Sequence, residues 1–230
     1  MAAAQALAQA GAVVVMAGRR AEVLETEAQK IRSDGGAAEA AALDVSDAAA
    51  VKRAAAAILS RHGRIDILVN SAGLNNPNRY WNNQSVEGWR EVVGINLDGT
   101  FYTVHAVLPT MRANKDGLII NVSSWAGVFH PKLTGAAYNA SKHAVTAMTE
   151  TINMEECTNG IRACAICPAE VATPILDRRP EPPSAADRAR MLQPNDLGAT
   201  IRFIAELPPH VCINQLIISP TWNRNYIENL

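Results

Sequence analysis

Tyr138 and Lys142 stand four residues apart in the segment AAYNASKHAV, residues 136–145. On a helix, this spacing places both side chains on one face. A phenol with an ordinary pKa of about 10 is a poor acid or base at neutral pH, but a neighbouring ammonium group favours the phenolate and lowers that pKa. A shift of about three pKa units corresponds to roughly 4 kcal/mol. The pair therefore indicates proton transfer, although the same spacing also occurs on many exposed helices.

Two other polar positions add context to this pair. Ser124 stands fourteen residues before Tyr138, at the end of a predicted strand in NVSSWAG, and its neighbour Ser123 is a rival for the same role. Asn96 stands in INLDGTF, inside a predicted long helix, where asparagine is a poor choice because its side chain competes for backbone hydrogen bonds. This context strengthens the acid–base interpretation.

The elements that must position these residues alternate between short apolar runs and amphipathic segments. Apolar runs separated by helices are typical of a parallel sheet covered on both faces, so we expect a single, doubly wound α/β domain. Residues 173–194 hold five prolines and are predicted to form a long loop, either a lid or a disordered segment. The predicted strands are 12–18, 38–45, 64–70, 117–124, 161–167 and 213–219; the predicted helices are 1–10, 20–33, 47–62, 85–113, 136–158 and 195–206, with N-caps at Ser46-Asp47, Ser85 and Asn195-Asp196.

Small, polar or basic residues follow five of the predicted strands. In parallel α/β sheets, ligands bind beyond the carboxyl ends of the strands. Each position alone also fits ordinary turn chemistry, but five together indicate a binding site. They are Gly18-Arg19-Arg20, Asp44-Val45, Asn70-Ser71-Ala72-Gly73, Ser123-Ser124 and Cys167-Pro168-Ala169.

The order Asn96, Ser124, Tyr138, Lys142 on this alternation closely resembles the classical short-chain dehydrogenase/reductase family. The segment LVNSAG, close to the family's Asn-Asn-Ala-Gly, and the segment CPAEVATP, close to its Pro-Gly-x-Val-x-Thr, extend the resemblance over essentially the whole chain. It implies a Rossmann-like fold and an oxidoreductase that interconverts an alcohol and a ketone or aldehyde by hydride transfer.

The resemblance also implies a role for each of the four residues. Tyr138 would give a proton to the carbonyl oxygen or take it from the alcohol, and Lys142 would lower the pKa of Tyr138 and bind the nicotinamide ribose. Ser124, which fits the family's Ser-x-x-Gly better than Ser123, would hold the substrate oxygen. Asn96 would position a water in a proton relay from Lys142 to solvent.

Cofactor choice is read from the second strand of the family pattern. NAD-preferring members end that strand with an acidic residue, and here Gly18 is followed by Arg19 and Arg20. Arginine binds phosphate through charge-assisted hydrogen bonds, so NADP is favoured over NAD; the alternative is that both arginines only solvate a helix start. The resemblance places the other cofactor contacts, besides Tyr138 and Lys142, at Asp44 and Val45 near the adenine, at Asn70, Ala72 and Gly73 along the cleft, and at Pro168, Val171 and Thr173 near the nicotinamide and phosphates; Ala169 replaces a family glycine.

The opening MAAAQALAQAGAVVVMAGRR resembles the middle of the family pattern. There, a first strand and a Thr-Gly-x-x-x-Gly-x-Gly loop precede a helix ending in ALAQAGA, and the loop binds the pyrophosphate. That strand is central in the order 3-2-1-4-5-6-7, so its absence would leave unpaired edges on strands two and four. We expect the natural product to be longer, and the 230-residue chain alone to fold poorly or be inactive.

Composition excludes several other classes of protein. The net charge of −1 gives no electrostatic reason to expect nucleic acid, and no apolar run is long enough to span a membrane. Four scattered cysteines do not make a disulfide scaffold, which indicates a cytoplasmic protein. Cys164 and Cys167 should point to opposite faces of a strand, so a redox pair is not expected. His130 and His143 lack partners at metal-ligand spacing, so no metal is expected.

Two other functions stay open at this point. One is a non-catalytic subunit or regulator on the same fold; the intact set of four residues argues against it, and the missing phosphate loop argues for it. The other is an epimerase or dehydratase on the related extended fold, which usually carries a longer C-terminal region. A small-molecule alcohol or carbonyl substrate and a homodimer or homotetramer follow from the leading interpretation.

Overall fold

Parallel strands alternate with helices along the chain, and every predicted strand is present in the computed structural model, which describes residues 1–227. The predicted α/β fold class is therefore confirmed. The strands are β1 (Val13–Gly18), β2 (Ala37–Ala42), β3 (Ile67–Asn70), β4 (Gly117–Val122), β5 (Ile161–Pro168) and β6 (Gln215–Ile218). The helices are α1 (Ala2–Gln9), α2 (Ala21–Ser33), α3 (Ala48–His62), α4 (Val86–Val93), α5 (Gly99–Asn114), α6 (Ala136–Glu156), α7 (Ala185–Arg190), α8 (Pro194–Ala205) and α9 (Arg224–Ile227).

The strands form two parallel sheets. β1 pairs with β2, and the second sheet has the order β3-β4-β5-β6. Within residues 1–227, β1 and β3 each keep one edge without a strand neighbour. They correspond to strands two and four of the family pattern, for which the sequence predicts unpaired edges.

Helix α1 packs against both sheets and joins them. Its Leu7 is buried in an apolar cluster with Ile120 of β4. Its Ala4 and Ala8 are buried in a second cluster, which covers β1, β2 and α2. Val14 of β1 contacts both clusters. Apolar packing therefore connects the two sheets where no strand pairing does.

Helix starts confirm two of the predicted caps and correct the third. Asp47 and Ser85 each accept a hydrogen bond from the amide three residues on, at 2.9 and 3.0 Å. The prediction of Asn195-Asp196 as the start of the last long helix is wrong. The N-cap is Gln193, and Pro194 takes the first helical position, where its missing N–H has no cost.

The predicted helix over 85–113 contains an irregular turn. Helices α4 and α5 are joined without a break by a π-helical turn at Gly94–Asp98. Such turns widen the helix by one residue and are frequent at functional sites. Here the turn carries Asn96, whose side chain is fully buried. The position that is unfavourable in a regular helix thus lies in a distorted one.

The long proline-rich segment is more structured than predicted. Residues 173–194 contain a 3₁₀ turn at Pro174–Arg178 and helix α7, which begins at a capping box of Ser184 and Asp187. A single parallel bridge between Val171 and Leu192 ties its two ends together. The segment therefore forms an ordered insertion after β5, and the bridge holds its two ends together.

Among the helices of residues 1–227, none has both the length and the apolar character needed to cross a bilayer.

Candidate active site

Ser124, Tyr138 and Lys142 meet at the carboxyl end of β4. Lys142 lies on α6, is buried, and donates a hydrogen bond from Nζ to the carbonyl oxygen of Val122 at 2.9 Å. The same Nζ lies 5.7 Å from the ring centroid of Tyr138, one turn earlier on α6. Ser124 has an extended backbone, and its side chain lies near enough to Tyr138 to act on the pKa of the phenol. The structure therefore places the three predicted groups around one point.

Burial shifts the pKa values of both Tyr138 and Lys142. Burial raises the pKa of Tyr138, and a hydrogen bond from Ser124 and the charges of Arg179 and Arg79 oppose that rise in pKa. Burial also lowers the pKa of Lys142, to about 8. In the protein alone, loss of solvent is the largest influence on the pKa of Tyr138, and the lowering of that pKa by Lys142 stays a prediction.

Ser123 and Ser124 have different surroundings. Ser123 Oγ donates to the carbonyl oxygen of Lys142 at 2.9 Å and lies 2.9 Å from Thr146 Oγ1, so it fastens β4 to α6. Gly127 packs so closely on it that a Cβ there would collide with Ser123 Oγ. Ser124 is the serine that faces Tyr138, which favours it over Ser123 as the site hydroxyl.

Asn96 fixes the loop that follows β3. Its Oδ1 accepts a hydrogen bond from the amide of Leu74 at 2.8 Å, and its Nδ2 donates to the Leu74 carbonyl at 3.0 Å and to Ser141 Oγ at 3.2 Å. A Cβ at Gly73 would stand 3.3 Å from Asn96 Oδ1 and 3.5 Å from Lys142 Nζ. The side chain of Asn96 thus holds the loop beside Lys142.

Asn70 uses its side chain inside the sheet. Its Nδ2 donates to Asn121 Oδ1 at 2.9 Å, and its Oδ1 accepts a hydrogen bond from Thr103 Oγ1 at 2.7 Å. Asn121 in turn donates to Thr149 Oγ1 at 2.9 Å. The side chain of Asn70 is therefore engaged within the sheet, and the cofactor contacts of Asn70 and of the exposed residues Ala72 and Gly73 stay predictions.

Two arginines and an aspartate lie at the carboxyl ends of β1 and β2. Arg19 and Arg20 are exposed, and Arg20 occupies the N-cap position of α2 without a side-chain cap. Asp44 accepts hydrogen bonds from the amide and hydroxyl of Ser46, which lower the pKa of Asp44 together with the charge of Arg19. The neighbouring Val45 packs on Gly99, where an added Cβ would lie 2.8 Å from Val45 Cγ2.

The end of β5 supplies the remaining predicted positions. Pro168 is the buried last residue of the strand, Val171 bridges to Leu192, and the amide of Thr173 donates to the Val171 carbonyl at 2.8 Å. This segment carries Glu170, which the sequence analysis missed. Glu170 accepts hydrogen bonds from Arg179 and Arg224 at 2.6 to 2.8 Å. A charged residue two positions after a strand was the available signal for it.

Arg79 is a second residue that the sequence analysis missed. Its side chain is 3 % exposed and donates from Nε to the carbonyl of Asn76 at 2.7 Å and from Nη2 to that of Arg178 at 2.7 Å. Gly135, just before α6, packs so closely that a Cβ would meet the Arg79 backbone. These two partners are 3 and 99 residues away, and no local pattern predicts the distant one.

The cysteines and histidines behave as structural groups. Cys164 and Cys167 are buried free thiols; Cys164 belongs to the Ile120 cluster, whereas Cys167 lies near Ser123 and Ser124 on the other face of β5. Burial raises the pKa of Cys164 to about 12. The rings of His130 and His143 stack at 4.6 Å. Over residues 1–227, no three His, Cys, Asp or Glu side chains cluster closely enough to hold a metal ion.

The residues present fit a nicotinamide nucleotide at both of its riboses. The described contacts use one of the three N–H donors of Lys142, so donors remain for ribose hydroxyls beside the glycine at position 73. At the far end, the exposed guanidinium groups of Arg19 and Arg20 suit a phosphate oxygen.

Comparisons with known proteins identify the family of this chain. Residues 1–183 match the short chain dehydrogenase family. An oxidoreductase of Staphylococcus saprophyticus, itself uncharacterized, is 32 % identical over 218 residues, which cover 94 % of this chain and 90 % of that protein. The chain belongs to the short-chain dehydrogenase family, and it is an NAD(P)-dependent oxidoreductase with a Rossmann-like fold.

Solved structures show the same fold with a nucleotide present. An alcohol dehydrogenase from the archaeon Thermococcus sibiricus, complexed with 5-hydroxy-NADP, superposes with a TM-score of 0.86 at 26 % identity, covering 97 % of this chain and 92 % of that one. A gluconate 5-dehydrogenase from Burkholderia cenocepacia, in complex with NADP and tartrate, gives a TM-score of 0.82 at 30 % identity, covering 94 % and 88 %.

Proposed function

We propose that this protein is an NADP-dependent oxidoreductase that interconverts an alcohol and a ketone or aldehyde. The observation that carries the proposal is the position of the buried Lys142 Nζ, 5.7 Å from the Tyr138 ring centroid and anchored at the end of β4, with Ser124 near enough to act on the pKa of Tyr138. When bound, the nicotinamide supplies the hydride. The protein then needs only to hold the substrate oxygen and to move one proton.

Each residue has a defined task in this proposal. Ser124 donates a hydrogen bond to the substrate oxygen, and Tyr138 gives or takes the proton at that oxygen. Lys142 places a positive charge beside the phenol and directs its remaining N–H donors to the nicotinamide ribose. The side chain of Asn96 holds the loop of Gly73 beside Lys142, and this loop keeps the ammonium in place. Because that side chain is engaged with the loop, the proton relay falls to the backbone around Asn96.

Replacing Tyr138 with Phe tests the proposal. The variant lacks the exchangeable proton, so we expect kcat for reduction of simple ketones and aldehydes to fall by about 10²- to 10⁴-fold. Binding of NADPH, followed by its fluorescence, should stay within about twofold. Tyr102→Phe on α5, which removes a hydroxyl elsewhere, is the control and should leave kcat unchanged. A wild-type chain that binds NADPH but reduces no carbonyl would instead identify a non-catalytic regulator.

The preference for NADP rests on Arg19 and Arg20. Both guanidinium groups are exposed at the end of β1, and Gly18 leaves no carboxylate there to repel a 2′-phosphate. NAD remains the alternative ligand, since its ribose lacks only that phosphate.

The double variant Arg19→Ser, Arg20→Ser tests the cofactor preference. Hydrogen bonds to charged groups contribute about 1.5–3 kcal/mol, so we expect the Kd for NADPH to rise at least tenfold while the Kd for NADH changes less than threefold. Arg90→Ser, which removes an exposed arginine from α4, is the matched control. Equal weakening of both nucleotides would mean that the arginines do not select the phosphate.

Location and assembly complete the proposal. The four cysteines are free thiols, which fits a reducing compartment such as the cytoplasm. We propose a homodimer or homotetramer, because Phe101 on α5 and Met154 on α6 are large apolar side chains left exposed on the helices that flank the site.

A further inference from the structure

Two guanidinium groups, those of Arg79 and Arg179, lie on one side of Tyr138 and oppose the rise in the pKa of its phenol. Arg179 pairs with Glu170, whose carboxylate is shared with Arg224, whereas the described contacts of Arg79 include no carboxylate. Asp177, which lies in the same segment, pairs with Arg188 on α7. A carbonyl-reducing site needs no such excess of positive charge for the proton transfer itself.

Arg79 holds a buried charge without an acidic partner in residues 1–227. Its guanidinium donates to backbone carbonyls, with Leu133 at 3.5 Å in addition to the two already described. Carbonyl oxygens satisfy the N–H groups but do not cancel the charge. Because Arg79 packs between Gly135, three residues before Tyr138, and the backbone of Arg178, its charge is fixed beside the site.

Arg179 has donors left over. Its side chain is 11 % exposed and makes one described hydrogen bond, from Nη1 to Glu170 Oε1. Glu170 shares its carboxylate with Arg224, which binds both of its oxygens. A guanidinium has five N–H donors in a planar fork, so Arg179 can bind a second carboxylate while Glu170 holds it in position.

Contacts along the chain bring the same two arginines close to Tyr138, because Arg79 packs on Gly135, three residues before Tyr138, and donates to the carbonyl of Arg178, the residue before Arg179. The charges of Arg179 and Arg79 both act on the phenol of Tyr138 and lower its pKa. Arg79 and Arg179 also repel each other, since each carries a positive charge in a poorly solvated place. A bound anion between Arg179 and Tyr138 would relieve that repulsion.

We propose that the substrate carries a carboxylate close to its reacting carbonyl, and that Arg179 is the residue that binds it. Arg79 adds a fixed positive charge behind Arg179, and Glu170 is a positioning residue. The substrate class is then a short oxo acid, or the corresponding hydroxy acid in the oxidation direction. The inference rests on the proposed function, because it takes Tyr138 as the proton donor.

Matched acid and ester pairs test this inference. The probes are 2-oxobutanoate, acetoacetate and 4-oxopentanoate, with NADPH as the reductant. Each acid is compared with its ethyl ester, so that the two members of a pair differ chiefly in charge. We expect kcat/KM of the best acid to exceed that of its ester at least tenfold. Arg179→Met should remove at least 90 % of the acid's kcat/KM and leave the ester within threefold.

A second readout does not depend on turnover. Malonate, which has no reducible carbonyl, should bind the protein without nucleotide in calorimetry, and Arg179→Met should weaken that binding at least tenfold. Arg178→Met is the control: its side chain is exposed and makes none of the contacts described for residues 1–227, so malonate binding and acid reduction should both persist.

The outcomes separate the two proposals. Ester reduction at the rate of the acid, or equal effects of Arg178→Met and Arg179→Met, overturns the carboxylate assignment and leaves the oxidoreductase function in place. Malonate binding that depends on Arg179, without reduction of any probe, supports the anion site and counts against the proposed function. Equal loss of ester and acid rates in Arg179→Met means a structural role for Arg179 and also overturns the assignment.

Discussion

Lys142 carries its charge in a place that is unfavourable for the folded state. Burial lowers the pKa of Lys142 from an ordinary value of 10.5 to about 8. The folded chain therefore holds fewer protons than the unfolded chain between about pH 8 and 10.5, and stability must rise with pH across that window. At neutral pH, the depressed pKa corresponds to a loss of about 3 kcal/mol in folding stability, which is the cost of keeping an ammonium beside Tyr138.

This linkage predicts a pH-dependent difference between the wild type and Lys142→Met. Between pH 7 and pH 10, the free energy of unfolding of the wild type should rise by about 2 kcal/mol relative to the variant, because the wild type alone loses the buried charge. Urea unfolding at several pH values measures this difference. Lys132→Met, which replaces an exposed lysine, should show no such trend. A wild-type curve that runs parallel to Lys142→Met would show that the ammonium is not buried.

Burial raises the pKa of Tyr138, whereas it lowers the pKa of Lys142, and in both residues it disfavours the charged form. Burial raises the pKa of Tyr138, so in the protein alone the phenol keeps its proton at neutral pH. A protonated phenol beside Ser124 is the form needed to donate to a carbonyl oxygen. The charges of Arg179 and Arg79 then favour release of that proton.

At the scale of elements, local spacing could be predicted and distant contacts could not. Tyr138 and Lys142 share one helix, and Ser124 ends a strand, so the sequence places all three near the carboxyl edge of the sheet. The contact between Arg79 and the Arg178 carbonyl spans 99 residues and depends on how two loops pack. Nothing periodic in either loop indicates it, which is why the cationic side of the site was missed.

Irregular elements explain the other differences from the sequence prediction. The π-helical turn at Gly94–Asp98 and the two short helices in 173–194 depart from the regular elements that the sequence predicts, and α7 begins at a local capping box that the prediction overlooked. Asn96 is held by the loop at Leu74, and Val171 is held by Leu192. Each irregular element carries or supports a residue of the site, as expected where function competes with regular structure.

For the whole molecule, the central question is how two separate sheets hold together. β1 and β3 each leave an edge unpaired within the described chain, and the expectation of poor folding rests on those edges. The packing of α1 opposes it, because Leu7 is buried against the four-stranded sheet while Ala4 and Ala8 are buried against the other. Both halves of the proposed nucleotide site, Arg19 on one sheet and Lys142 beside the other, depend on that connection.

Leu7→Ala tests whether α1 couples the sheets. Replacing a buried leucine with alanine typically costs 2–5 kcal/mol, and we expect about 3 kcal/mol here, with faster amide hydrogen exchange in both β1 and β4. Leu24→Ala is the matched control, since Leu24 is equally buried but belongs only to the cluster of the two-stranded sheet. It should speed exchange in β1 and β2 and leave β4 and β5 protected. Were Leu7→Ala to affect β4 alone, the two sheets would be independent units, and the proposed nucleotide site would lack a fixed geometry across them.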